Sequence, residues 1–260
     1  MDPNSVIYEK RENTALIRLN RPRVLNALDE GAWRELGRAV ERAEADTDIR
    51  AMVLTGEGRA FSSGADLKSA KGRSAEDYRT YLDRVQRVSR RLIRFPKPAI
   101  AAIGGYALGS GFELALACDI RLASEDAKIG FPEAKVTSMV TGGTLRLLQG
   151  LVGPGRAKLL LFSAQNVTAA GALAMGLVEK VLPEERLLPE ALEMAQAFSQ
   201  NAPVSLRMMK RGLAMGAGDA SLDTLMEFEV EACLACVGTL EREKSLADFE
   251  GRKNGSKGEE

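Results

Sequence analysis

The sequence predicts an α/β fold with parallel strand pairing, followed by a helical C-terminal region. Short buried runs at residues 51–54 and 99–103 each lead into a glycine-rich turn, and a helical pattern follows each turn. Alternation of strand and helix is typical of parallel sheets. After residue 183 the apolar spacing is helical throughout. We therefore predict an α/β core over residues 1–195 and a helical region over residues 196–260.

The first half of the chain contains most of the strand signals. Runs at 6–8 and 15–19 predict a hairpin, and Asp29 is a suitable N-cap for the helix that follows. A charged helix is predicted over about residues 74–94, ended by Pro96 and Pro98, with an inward face made of Tyr78, Leu82, Val85, Val88 and Leu92. Further elements are predicted as a helix at 112–117, a strand at 178–182, and helices at 203–215 and 222–240.

Composition excludes several kinds of function. The 260 residues carry 36 basic and 36 acidic side chains, so charge gives no reason to expect a nucleic acid as partner. The chain has no histidine, which excludes His-based nucleophile activation and His-ligated zinc, and we expect no metal. Its 3 cysteines suggest no disulfide framework. Because we find neither a signal peptide nor an apolar run long enough to span a membrane, we expect a cytoplasmic protein without a membrane partner.

Two glycine-containing loops, Ser63-Gly-Ala-Asp66 and the segment 109–113 (G-S-G-F-E), follow predicted parallel strands. Taken alone, the first is typical of an Asx turn and the second of a tight turn between strand and helix. Together they are more informative, because neighbouring parallel strands place both loops at the same edge of the sheet, where ligands bind. Backbone N–H groups that meet there would form an oxyanion hole. Glu133, in an apolar run, is either a solvated loop residue or an acid with a raised pKa.

Four segments form a pattern when they are read together. They are L-N-R-P-R-V-L-N-A-L at 19–28, F-S-S-G-A-D-L at 61–67, P-K-P-A-I-A-A-I-G-G-Y-A-L-G-S-G-F-E-L-A-L-A-C-D-I at 96–120, and F-P-E-A-K at 131–135. In order and spacing they resemble the crotonase family, the enoyl-CoA hydratase/isomerase superfamily, over residues 5 to about 250. The resemblance implies a crotonase-like spiral of ββα units, and a helical C-terminal oligomerisation region that forms a homotrimer or a dimer of trimers.

The resemblance also implies roles for individual residues. The oxyanion hole falls on the backbone N–H groups of Ala65 and Ser110, and the two catalytic carboxylates fall on Glu113 and Glu133. The substrate is an acyl-CoA thioester, so coenzyme A arrives with the substrate and no separate cofactor is expected. Contacts to CoA and substrate are implied, less firmly, for Arg23, Ala27, Ser63, Asp66, Leu67, Lys68, Phe249 and Lys253.

Two departures from the family pattern bear on the reaction. Ser110 stands where the family usually has glycine, and the loop 134–144 (A-K-V-T-S-M-V-T-G-G-T) is one residue shorter than usual and lacks a Pro-Gly pair. The leading hypothesis is reversible hydration of a 2-enoyl-CoA to a 3-hydroxyacyl-CoA by Glu113 and Glu133. The alternatives are a Δ3-Δ2-enoyl-CoA isomerase or another reaction through an acyl-CoA enolate, a non-catalytic acyl-CoA binder, and an RNA-binding relative. The acyl chain is not readable from the sequence.

Overall fold

The computed structural model of the chain describes residues 4–70, 72–218, 220–237, 239 and 242. The chain forms two compact units, Met1–Phe198 and Ser199–Glu260. The predicted core ended at residue 195. Within the described residues, no helix combines the length and the apolar character needed to cross a membrane.

The first unit repeats a strand–strand–helix pattern. Its strands are β1 Val6–Arg11, β2 Thr14–Leu19, β3 Ala51–Gly56, β4 Ala60–Ser62, β5 Ala99–Ile103, β6 Tyr106–Leu108, β7 Ile120–Ser124, β8 Lys128–Gly130, β9 Val167–Thr168 and β10 Lys180–Leu182. Its helices are α1 Glu30–Ala45, α2 Leu67–Ala70, α3 Ala75–Ile93, α4 Ser110–Leu116, α5 Thr144–Ser163, α6 Ala169–Met175 and α7 Glu184–Ser199. This is the predicted α/β fold.

The strands form two sheets. The first has the order β1-β2-β3-β5-β7-β10, and the second has the order β4-β6-β8-β9. In the first sheet only β1 and β2 are antiparallel, and the predicted parallel pairing of β3 with β5 is confirmed. The second sheet was not predicted, because its strands are two or three residues long and too short to show alternation.

Helices α1 and α3 confirm two predicted starts and one inward face. Asp29 caps α1 by accepting a hydrogen bond from the backbone N–H of Ala32 at 2.8 Å. Ser74 and Asp77 form a capping box at the start of α3. The prediction that Tyr78 faces inward was wrong: it is 40% exposed, whereas Tyr81 is only 7% exposed. The first turn of α3 borders a cavity rather than the core.

Sheet pairing brings the two glycine-containing loops together. β4 pairs in parallel with β6, with Ser62 opposite Ala107, and each strand leads into one of these loops. Gly64 fits because a Cβ at that position would lie 2.6 Å from the carbonyl oxygen of Leu108. Its φ of +94° is also one that only glycine adopts without strain.

The second unit contains the remaining helices, α8 Pro203–Gly216 and α9 Leu222–Val237. They match the helices predicted at 203–215 and 222–240, although residue 240 lies outside the described residues. Each helix exposes large apolar side chains, namely Met209, Leu213, Leu222, Met226, Val230, Leu234 and Val237.

Candidate active site

A cavity of about 110 Å³ lies where the two loops meet. One wall consists of the loop residues Ser63, Gly64, Ala65, Gly109 and Ser110. Most of the other lining residues are apolar or aromatic and include Tyr78, Tyr81, Leu82, Val85, Val136 and Met139. An apolar cleft with a few polar groups on one side is typical of a small-molecule site.

The backbone N–H groups of Ala65 and Ser110 are both available in this wall. The neighbours of Ala65 are tied to Leu28, because the N–H of Leu28 donates to the carbonyl of Gly64 at 2.8 Å and the N–H of Asp66 donates to Leu28 at 3.1 Å. Ser110 opens α4, where the first N–H groups have no partner within the helix. Within the described part of the chain, neither amide donates a hydrogen bond. Both are therefore free to bind an anionic oxygen.

Glu133 lines the same cavity, in the short 3-10 helix Pro132–Val136. The ring of Phe131 packs edge-on against Phe112 of α4, with centroids 5.5 Å apart, and this contact ties the segment to α4. Desolvation by burial, assisted by the charge of Glu113 and opposed by a backbone hydrogen bond, raises the pKa of Glu133 from 4.5 to about 7. Its buried Oε2 has no hydrogen-bond partner among the described residues. Glu133 is thus poised between its acid and carboxylate forms near neutral pH.

Glu113 is held very differently. It is 1% exposed. Its Oε1 accepts the backbone N–H of Thr141 at 2.6 Å, and its Oε2 accepts the Thr141 hydroxyl at 2.8 Å. Desolvation by burial raises the pKa of Glu113 above its ordinary value, and both Thr141 bonds and a hydrogen bond from the Ser110 side chain offset only part of that rise. Donors that bind the charged form favour an ionised carboxylate.

Only some of the other predicted binding residues line the cavity. Ser63 and Leu67 line the cavity. Ala27 is buried, whereas Arg23 and Lys68 are exposed. Asp66 is engaged locally: its Oδ1 accepts the backbone N–H groups of Lys68 and Ser69, and its Oδ2 pairs with Arg21 at 3.2 Å. These bonds match the Asx-turn interpretation, and a CoA contact from Asp66 stays a prediction.

Phe249 and Lys253 lie outside the described residues, so the contacts implied for them are likewise still predictions. Sequence reasoning missed two residues of the site, Thr141 and Tyr81. Thr141 gave no signal, since it is 28 positions from the carboxylate that it binds. Tyr81 was overlooked in favour of Tyr78, although it has the helical spacing of the buried positions Val85, Val88 and Leu92.

The chain is similar to known enoyl-CoA hydratases along nearly its whole length. The family model described as enoyl-CoA hydratase/isomerase matches residues 9–257. The chain is 38% identical to the short-chain-enoyl-CoA hydratase of Clostridium acetobutylicum, over 98% of this chain and 100% of that protein. It is 36% identical to the crotonyl-CoA hydratase of Syntrophomonas wolfei, over 94% of each.

A solved structure resembles the whole fold. The crystal structure of an enoyl-CoA hydratase from Bacillus anthracis superposes with a TM-score of 0.92 at 32% identity, covering 96% of this chain and 97% of that one. The match includes the spiral of ββα units and the helical C-terminal region. This chain belongs to the enoyl-CoA hydratase/isomerase family.

Proposed function

We propose that this protein catalyses the reversible hydration of a 2-enoyl-CoA thioester to a 3-hydroxyacyl-CoA. The observation that carries the proposal is the difference between the two carboxylates. Burial raises the pKa of both groups, but Glu113 has three donors that favour its charged form. Glu133, which borders the cavity, has an Oε2 without a partner among the described residues and a pKa raised to about 7. A base, an acid and two free backbone N–H groups are what the addition of water to an unsaturated thioester requires.

The reaction follows from these assignments. The thioester oxygen accepts hydrogen bonds from the N–H groups of Ala65 and Ser110. Glu113 takes a proton from water as the water oxygen bonds to Cβ, and the π electrons move onto the thioester oxygen as an enolate. The enolate collapses and takes the proton of Glu133 at Cα. A proton returned from Glu113 to Glu133 through solvent restores the starting state, so the cycle needs no oxidant, metal or separate cofactor.

The CoA portion is proposed to extend from the loop that carries Ser63 and Leu67 toward solvent. Arg23 and Lys68 are both exposed, and their positive charges would attract the CoA phosphates. Phe249 and Lys253 are proposed as further contacts by the family pattern. The cytoplasmic location expected from the sequence stays a prediction.

The second candidate is an enoyl-CoA isomerase, and the altered loop 134–144 is the observation that favours it. An isomerase needs one base, so it would not use both carboxylates. The two relatives named as short-chain and crotonyl-CoA hydratases make crotonyl-CoA the first substrate to test. Incubation with 2-enoyl- and 3-enoyl-CoA thioesters of increasing chain length, followed by mass spectrometry, separates the candidates. Hydration adds the mass of one water, whereas isomerisation leaves the mass unchanged and moves the double bond.

A homotrimer or a dimer of trimers is proposed for the assembly. The apolar side chains exposed on α8 and α9 support it, since large exposed apolar surfaces mark interfaces. Light scattering should give a mass of three or six chains, and a monodisperse monomer at micromolar concentration would count against it. Leu213→Glu, which places a charge at a side chain that is 76% exposed, should lower the mass if α8 lies in the interface.

A further inference from the structure

One residue, Thr141, binds both oxygens of the Glu113 carboxylate. Thr141 donates its backbone N–H to Oε1 at 2.6 Å and its side-chain hydroxyl to Oε2 at 2.8 Å. The two bonds together fix both the position and the plane of the carboxylate. Any residue except proline supplies the first bond, but only threonine or serine supplies the second from this position.

We propose that the hydroxyl of Thr141 is a positioning group for the reaction, which holds Glu113 ionised and oriented as the base of the carboxylate pair. The inference rests on the proposed function and deepens it. It also accounts for the altered loop 134–144, which lacks the family's Pro-Gly pair yet places Thr141 against the catalytic carboxylate.

Because Glu113 is buried, the hydroxyl of Thr141 is important for stabilising its charge. At 1% exposure, Glu113 has lost its hydration, and its charge must be stabilised by protein donors. Three such donors are present, two from Thr141 and one from the Ser110 side chain. Glu133 lacks this support, since its Oε2 has no partner among the described residues. With this distribution of donors, Glu133 is the carboxyl group that binds a proton more readily.

The ionisable neighbours of Glu113 do not supply the same effect. Glu133 interacts with Glu113 as a like charge when both are ionised, and Tyr81 of α3 also interacts with Glu113 electrostatically. The hydroxyl of Tyr81 accepts a hydrogen bond from the indole N–H of Trp33 at 3.2 Å. Both groups are neutral or negative, so each disfavours a charge on Glu113 or leaves it unchanged. Among the described residues, hydrogen-bond donors rather than cations therefore offset the effect of desolvation on the pKa of Glu113.

Thr141→Val tests the proposal because it keeps the shape and the backbone N–H and removes only the hydroxyl. Loss of a donor to the charged form should raise the lower of the pair's two pKa values by on the order of one pH unit. The ascending limb of the pH profile of kcat/KM should move upward by the same amount, with about a tenfold loss on that limb. Thr141→Ser, which restores a hydroxyl, should return the limb close to its wild-type position.

Thr144→Val is the matched control. Thr144 is 1% exposed, and its hydroxyl has no hydrogen-bond partner among the described residues. The same substitution there should leave the pH profile unchanged. If the Thr141→Val profile coincides with those of wild type and Thr144→Val, or if Thr141→Ser shifts as far as Thr141→Val, the hydroxyl does not position Glu113 and the proposal is overturned.

A titration without substrate separates this inference from the proposed function. The side-chain carboxyl carbon of Glu113 can be followed by ¹³C NMR in uniformly labelled protein, with its signal assigned by its absence in Glu113→Gln. The midpoint should rise in Thr141→Val and stay in place in Thr144→Val, whether or not crotonyl-CoA is hydrated. An unchanged midpoint in folded Thr141→Val would overturn the inference, whereas absence of hydration by wild type would count only against the proposed function.

Discussion

Glu133 occupies the space that a side chain on residue 109 would need. A Cβ built on Gly109 would lie 2.5 Å from Oε1 of Glu133, well inside contact distance. Gly109 also adopts φ +50° and ψ −127°, a conformation that side chains disfavour. The position of the Glu133 carboxylate and the turn that opens α4 therefore both require a residue without a side chain at position 109.

Gly109→Ala should push Glu133 away from the cavity and strain the turn. We expect turnover to fall by about 100-fold, since acid–base catalysis is lost, together with a lower melting temperature. Gly150→Ala is the control, because no atom lies within 4 Å of its Cβ position inside α5. That variant should keep its activity and gain up to about 1 kcal/mol in free energy of unfolding. Full activity in Gly109→Ala would show that Glu133 need not sit where the structure places it.

Replacing either Glu113 or Glu133 should reduce catalytic activity. Glu113→Gln and Glu133→Gln should each lower turnover by at least about 100-fold, because each deletes a proton-transfer group, while CoA binding measured by calorimetry changes little. If one variant is nearly as active as wild type and the other is inactive, a reaction with one base becomes the better interpretation. If both keep full activity, neither carboxylate is catalytic.

The raised pKa of Glu133 predicts a pH-dependent stability. Its folded value, about 7, lies above its ordinary value of 4.5, so the folded state binds the proton more tightly and the free energy of unfolding falls as pH rises between these values. Glu133→Gln removes this fall, so its melting temperature should gain on wild type from pH 5 to pH 8. The pKa of the half-buried Glu190 is lowered by its bond to Lys180, so Glu190→Gln should show a constant difference over that range. A constant difference for Glu133→Gln would mean that Glu133 titrates near its ordinary pKa.

Two substitutions at Ser110 distinguish the role of its backbone N–H from the role of its side chain. Ser110→Pro deletes the N–H but stands at the first position of α4, where proline is tolerated, so we expect a folded protein with turnover reduced by about 100- to 1,000-fold. Ser110→Ala keeps the N–H and loses only the hydroxyl that bonds to Glu113, so its loss should be much smaller. Circular dichroism checks folding in both variants. A folded and fully active Ser110→Pro protein would exclude this N–H from the oxyanion hole.

The sequence alone determined the α/β class, the buried strands and the Asp29 cap, and it predicts Glu113 and Glu133 as the two acids. These features are local or fixed by spacing: Asp29 caps the helix beside it, and β3 and β5 are continuous apolar runs. The second sheet could not be recognised, because its short strands have no periodicity and form through pairing with distant strands.

Only the tertiary structure decided how the two acids differ. Nothing near Glu113 in the chain shows that Thr141 will bind both of its oxygens, or that Oε2 of Glu133 will be buried without a partner among the described residues. The pKa of a carboxyl group depends on its burial and on the donors around it, and both arise from segments far apart in sequence. The sequence therefore predicts which two carboxyl groups act, while the packing of the loop 134–144 against α4 determines the difference between their pKa values.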